Sequence, residues 1–327
     1  MKHVSILIPK GHSSLSNIEG TYQILNEVNN FLAEMGKPAL FNVQLVGLAR
    51  ETVQRSGLFK ISPDLLISEV EKTDLIIIPA LYGDQTAVLA ENKELIPWIL
   101  QQYAAGAEVV SFCIGSFFLA HTGLLTGKQC ATHWRLANEF RAMFPDVHLV
   151  DEKIMTEEDG IYTSGGAYAY LNLLLYLIEK YAGRPVSIMV AKAFMIDIDR
   201  DSQSPFIIFN GQKEHEDEPI KKAQVFIENN FKNKITVDQL AAMFALGRRN
   251  MERRFKKATA NTVVEYIQRV KVEAAKKDFE TSRKNINEVM YEVGYTDVKA
   301  FRSTFKKITG LSPVEYRNKY NKEVILL

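Results

Sequence analysis

The sequence has only 2 cysteines, Cys113 and Cys130, in 327 residues, which excludes a disulfide framework. It has no long uncharged apolar run. After one lysine and one histidine it begins on the strand-like Val4-Ser5-Ile6-Leu7-Ile8, so a cleavable signal sequence is not expected. A cytoplasmic location without membrane contact is the resulting expectation. His3, His12, His121, His148 and His215 show no ligand spacing with the cysteines, so neither a metal nor another cofactor is expected. Net charge is also scarce, at +1. That near-neutrality conceals an opposition: residues 221–327 hold 23 Lys+Arg against 12 Asp+Glu, and residues 1–220 hold 17 against 27. The basic end suits a phosphate backbone, whereas the acidic part does not.

What is present is a globular composition, 46% hydrophobic and 10% aromatic, long enough for two or three domains. The basic end contains one helical pattern twice. Phe255-Lys256-Lys257 recurs as Phe305-Lys306-Lys307, and Val264-Glu265-Tyr266 as Val314-Glu315-Tyr316, both at an offset of about fifty residues. Each copy reads as a short positioning helix, a turn and a basic helix, a DNA-reading arrangement. The positioning helices are expected at Val237 to Phe244 and Ile286 to Val293, with the turns marked by Gly247 and Gly294. The second helices are expected at Arg248 to Ala258 and Asp297 to Lys307. Met251 with Phe255, and Phe301 with Phe305, are four apart and should face the core. Arg248, Arg249, Asn250 and Arg253 in the first copy, and Val298, Lys299 and Arg302 in the second, are the candidate DNA contacts, because arginine suits guanine edges and asparagine adenine edges, and both also reach phosphate. In the first copy Ala260 and Val263 stand where the second has Gly310 and Pro313, a difference expected to affect that turn.

The acidic part alternates strand and helix signals. Val4 to Ile8, Phe41 to Leu48, Leu75 to Ile78 and Val109 to Phe112 read as strands, and residues 19–35 as a helix packed on a sheet. Cys113 sits between the last strand and an apolar helix from Phe117. A sharp turn there would expose its sulfur, and the helix N-terminus would favour a thiolate. This is the geometry of a nucleophile elbow, although the Gly-x-Ser-x-Gly pattern is absent. A small buried thiol is the alternative. His133 in Thr132-His133-Trp134 is a candidate partner, and Glu19 a candidate acid. Gly211 to Pro219 is polar, charged and carries both Gly and Pro, so it reads as a linker. The expected domains are thus 1–210, a linker at 211–219, and 220–327.

Several motifs together carry a resemblance. They are Cys113-Ile114-Gly115 with Phe118-Leu119-Ala120, Gly123-Leu124-Leu125 with Gly127, Thr132-His133-Trp134, Thr163-Ser164-Gly165-Gly166 and Gln203-Ser204-Pro205-Phe206. Residues 1 to about 208 resemble the DJ-1/PfpI group of the class I glutamine amidotransferase-like superfamily. With the doubled C-terminal pattern, nearly the whole chain resembles AraC/XylS-family transcriptional regulators that carry such a domain. The resemblance implies an α/β sandwich with a mostly parallel, flavodoxin-like sheet, followed by an all-α double helix-turn-helix domain. It also implies a sensory pocket at the cysteine turn, for which Glu19, Cys113, Ile114, His133, Gly165 and Gly166 are the candidates. The effector class implied is amine or amino-acid-like, and the partners are double-stranded DNA and a second copy in a homodimer. In the family's enzymes the residues matching Cys113 and His133 are catalytic; in its regulators they line the pocket. Glu19-Gly20-Thr21 and Asn172 depart from the family pattern. No catalytic role is therefore expected, the alternatives being a cysteine-dependent hydrolase or glyoxalase-like enzyme, or a scaffold that only dimerises the DNA module.

Overall fold

A computed structural model describes residues 1–54, 57–198, 200–213 and 215–321. The chain forms two compact units, one from Met1 to Gln203 and one from Ser204 onward. The division falls earlier than the expected end of the first domain at 210. The segment 211–219 looks like a linker by composition, yet its described residues are wired into the second unit. Gln224 donates to the carbonyl of Gln212 (2.8 Å), and His215 Nε2 meets Gln224 Oε1 at 2.9 Å. Gly, Pro and charge signal a boundary only locally; long-range contacts place the real one.

In the first unit a sheet of seven strands has the order Met155–Glu158, Ile161–Ser164, Glu108–Ser111, Leu75–Ile78, Lys2–Ile8, Phe41–Gly47, Leu65–Leu66. All neighbouring pairs are parallel except the first, which is antiparallel. The central run Leu75–Ile78 is buried at every residue, as a strand covered on both faces must be. One face packs on the helices Leu15–Glu34, Tyr170–Ala182 and Arg184–Ala193, with Ile6, Ile77 and Val110 turned toward them. The other packs Leu7, Ile76, Ile78 and Val109 against Leu95–Ala104, Gly115–His121 and Ala137–Met143. The helix Leu15–Glu34 starts before the expected residue 19, because Ser14 caps it by accepting from Asn17 N. Parallel topology places the strand C-termini at one rim, where Cys113 follows Ser111.

The second unit is helical: Glu218–Asn230, Val237–Met243, Arg248–Thr259, Val263–Thr281, Ile286–Glu292, Val298–Thr309 and Pro313–Tyr320. The internal repeat is visible atom by atom. Met251, Phe255 and Thr259 are buried as Phe301, Phe305 and Thr309 are. Thr259 and Thr309 each donate back to the carbonyl four residues earlier, at 2.8 and 2.9 Å. Each repeat then re-enters helix through a capping box, Thr262 with Glu265 and Ser312 with Glu315. Ala260 takes the left-handed conformation (φ 56°) that Gly310 takes (φ 74°), so the substitution at this position leaves the turn intact, contrary to expectation. The inter-helix turn differs from the expected one in the first copy. Its left-handed residue is Ala245 (φ 52°), and Gly247 is an ordinary N-cap at φ −71°. The second copy uses Gly294 (φ 77°), where a side chain would overlap the Lys232 carbonyl.

Candidate functional site

The cysteine turn forms where the chain leaves Glu108–Ser111 and enters Gly115–His121. Cys113 has φ 55°, a conformation rarely adopted by a non-glycine residue, so the sharp elbow expected from the sequence is present. Hydrogen bonds hold it: Cys113 N donates to the Ser164 carbonyl (3.0 Å), and Cys113 O accepts from Ser116 Oγ (3.0 Å). Thr132 Oγ1 also donates to that carbonyl (3.2 Å), and Ser116 Oγ donates to Thr132 Oγ1 (2.7 Å). The sulfur is not exposed, however, because Cys113 is 3% accessible. Burial pushes its thiol up to about 12, and the backbone hydrogen bond from Ile114 only partly opposes this. The expected thiolate is therefore overturned: removal of the sulfur from water outweighs the short helix that follows.

The other pocket candidates form no hydrogen-bonded catalytic chain with this turn among the described residues. His133 caps a short 3-10 turn, its Nδ1 accepting from Arg135 N at 3.2 Å. Burial, then the Arg135 charge, holds the ring below its ordinary range, so at neutral pH the imidazole is neutral. Glu19 is exposed, and its charge acts on Tyr170. No hydrogen bond among the described residues joins Cys113 to His133 or Glu19. Gly165 and Gly166 serve a residue placed 37 positions later: Gly166 N donates to Gln203 Oε1 at 2.6 Å, and a side chain on Gly165 would overlap the Gln203 carboxamide. Gln203 Nε2 in turn reaches the carbonyls of Thr132, Asp151 and Lys153, each at 3.0 Å. Gln203 thus pins the segment before His133 to the glycine turn, a role its polar local sequence does not show. Asn172 donates to the Asp197 carbonyl (2.7 Å), a backbone-satisfying role.

In the second unit the DNA candidates separate into free and engaged groups. Arg248 pairs with Asp238 (2.9 Å) and Glu252 (3.3 Å), so it braces the two helices of its own motif. Arg253 donates to Asn250 Oδ1 (2.9 Å), and with exposed Arg249 these residues lie away from buried Met251 and Phe255. Val298, Lys299 and Arg302 are exposed on the second copy. The fifty-residue offset also places Ser303, exposed, opposite Arg253, and Ala300 opposite Asn250, a correspondence legible in the repeat itself. Arg254 is a different case. It clamps Asp217 with two bonds, 2.8 and 2.6 Å, while Asp217 caps Glu218–Asn230. Arg254 therefore holds Asp217 below the usual carboxylate range. An open cavity of about 410 Å³ lies beside Phe209, Phe231 and Val270. Its two carboxylates are engaged, Glu228 by Tyr266 and Lys213, Glu273 by Lys276 and Phe209 N, and Lys277 also lines it.

Two tandem helix-turn-helix units with exposed cationic second helices, on a chain that also carries an α/β domain, define a DNA-binding regulator. The comparisons agree. Residues 2–180 match the DJ-1/PfpI family, and residues 240–319 match a helix-turn-helix domain. The chain is 24% identical over 282 residues to the HTH-type transcriptional regulator GbdR of Pseudomonas aeruginosa, across 85% of this chain and 75% of that protein. It is 26% identical over 221 residues to the HTH-type transcriptional regulator ArgR of the same species, across 67% of each. Among solved structures, a putative transcriptional regulator from Vibrio parahaemolyticus superposes with a TM-score of 0.53 at 23% identity, covering 60% of this chain and 99% of that one. An AraC family transcriptional regulator from Pseudomonas putida gives 0.51 at 15%, covering 59% and 100%. The chain belongs to the DJ-1/PfpI family, as an AraC-type transcriptional regulator with a C-terminal helix-turn-helix domain.

Proposed function

We propose that the α/β unit is a non-catalytic sensor whose small-molecule effector, amine or amino-acid-like, controls how the helical unit engages DNA, and that the protein works as a homodimer in the cytoplasm. The observation that carries the sensory role is Cys113, held at an elbow yet buried and protonated, with His133 neutral and not hydrogen-bonded to it. A cysteine hydrolase needs a thiolate or a base in contact with the thiol, and the buried thiol without a bond to His133 supports the non-catalytic reading. The DNA role rests on Arg249, Asn250 and Arg253 in one helix and Lys299 and Arg302 in the other. Control requires two states with unequal affinity for the effector, and two-fold pairing would place repeated half-sites on one face of the duplex. The deciding experiment is genome-wide DNA occupancy with and without amine and amino-acid metabolites, in the native chain and in Cys113→Ala. Occupancy that changes with a metabolite, in both proteins, supports a sensor without cysteine chemistry. Unchanged occupancy with every metabolite sinks it, and turnover abolished by Cys113→Ala restores the enzyme.

A further inference from the structure

The helix Leu15–Glu34 begins near several buried polar groups that have no partner, two of them carboxamide donors. Gln54, on the short strand Thr52–Gln54, is 0% accessible; its Oε1 accepts from Ser13 N at 2.9 Å, which leaves Nε2 as a donor without a partner. Asn17, 1% accessible, is in the same condition: its Oδ1 accepts from Ala80 N at 3.1 Å, and its Nδ2 has no partner. Ser13 Oγ and Thr52 Oγ1 are also buried and unpartnered. The accepted bonds identify the carboxamide orientations, so both unpartnered groups are NH₂ donors, which cannot accept. Ala80 ties Asn17 to the segment that carries Ser13, because its carbonyl accepts from Ser14 N (2.8 Å) while its amide donates to Asn17, and Ser13 N in turn holds Gln54. Ser13 and Asn17 lie at the positive end of a helix of 20 residues with no acidic residue in its first turn. Buried polar groups are normally satisfied; here two NH₂ groups lack acceptors, and two hydroxyls, which can donate or accept, lack any partner.

We propose that Ser13, Asn17 and Gln54 form a carboxylate-binding site at the N-terminus of this helix, which holds the acid group of the effector. The proposal rests on the reading of this unit as a metabolite sensor. A carboxylate brings two oxygens with about four lone-pair directions, enough to meet both NH₂ groups and the Ser13 hydroxyl, and its charge is favoured by the helix end. A neutral amide brings one acceptor oxygen and two further donors, for which only the two hydroxyls can accept, so it meets fewer of the NH₂ donors than a carboxylate does.

The test uses the full chain, with acetate as the probe and acetamide as its neutral counterpart, read by the side-chain NH₂ resonances of Asn17 and Gln54. Acetate is expected to move both signals saturably, and acetamide to leave them in place. Gln54→Glu and Asn17→Asp keep the oxygens that accept from Ser13 N and Ala80 N but replace each donor by an anion; each should weaken acetate binding about tenfold or more. Ser13→Ala removes only an unpartnered hydroxyl, so it should fold as well as the native chain while binding acetate more weakly. Equal responses to acetate and acetamide, no response to either, or native affinity in Ser13→Ala and Gln54→Glu would overturn the site. Metabolite-dependent DNA occupancy that survives in Gln54→Glu sinks this site and leaves the sensor standing. Acetate binding in a protein whose occupancy responds to no metabolite supports the site and removes the sensor.

Discussion

The carboxamide of Gln203 fills the volume that a side chain on Gly165 would need, while its oxygen accepts from Gly166 N at 2.6 Å. A glycine pair expected to border a ligand thus serves a glutamine in a tail segment. Gly165→Ala should overpack this contact and destabilise the first unit by about 1–3 kcal/mol. Urea unfolding followed by near-ultraviolet circular dichroism measures it. In a double-mutant cycle, Gly165→Ala with Gln203→Ala should cost less than the sum of the single changes; strict additivity would show that the two do not share the space.

Cys113 should be a slow nucleophile. With its thiol pushed up to about 12 by burial, the thiolate fraction at pH 8 is on the order of a thousandfold below that of an unfolded cysteine near 8.5. Iodoacetamide labelling followed by mass spectrometry should show slow modification of the native chain and rapid modification in denaturant. Because the folded value lies above the unfolded one, the associated stability is complete below about pH 8.5 and is lost as pH rises toward 12. Fast labelling of native protein at neutral pH would contradict the buried, protonated state.

Ala260 and Gly310 occupy the same left-handed position in the two repeats, at φ 56° and 74°. Relief of strain at Ala260 is worth about 1–2 kcal/mol, offset in part by the greater freedom of glycine in the unfolded chain. Ala260→Gly should therefore stabilise the helical unit by about 0.5–1 kcal/mol, and Gly310→Ala should shift the denaturation midpoint the other way. Changes of the same sign would refute the equivalence of the two turns.

Asp217 accepts from Ile220 N as an N-cap and from Arg254 as an ion pair. Asp217→Ala should lower the stability of the second unit by about 0.5–2 kcal/mol from the cap. Its carboxyl is held below the usual range, so the contribution is present above the unfolded value, about 3.9, and disappears as pH falls through the folded one. Thermal melts from pH 6 to pH 2 should show the native and Asp217→Ala curves converging at the acid end.

On DNA, Arg253→Ala and Arg249→Ala should cost more affinity than Arg248→Ala, because Arg248 is engaged by Asp238 and Glu252. A contact to phosphate lowers the slope of log affinity against log salt by about 0.9, whereas a contact to guanine costs about tenfold or more on the right base pair and little elsewhere. Fluorescence anisotropy on a selected site, over a range of salt and with single-base variants, separates the two. An Arg248→Ala protein weaker than both others would reverse the assignment.

The sequence by itself determined the order of the two domains, the doubled helix pattern and the core faces of both second helices. These are periodic, local features: Met251 with Phe255 and Phe301 with Phe305 follow from a spacing of four on any α-helix, and buried parallel strands such as Leu75–Ile78 announce themselves as unbroken apolar runs. The elbow at Cys113 was legible too, as a strand followed by a cysteine and a helix. What only the tertiary structure decided depends on residues far apart in the chain. Burial, set by the surrounding layers, made Cys113 a neutral thiol where the following helix alone argued for a thiolate. Gln203 packed against the glycine pair from 37 residues beyond it; Asp217 and its neighbours joined the second unit where composition read a linker; Ala245, not Gly247, made the first turn. The unpartnered donors of Ser13, Asn17 and Gln54 belong to the same class. Serine, asparagine and glutamine carry no periodic signal, and whether such a side chain is satisfied depends on which backbone atoms the fold brings within about 3 Å of it.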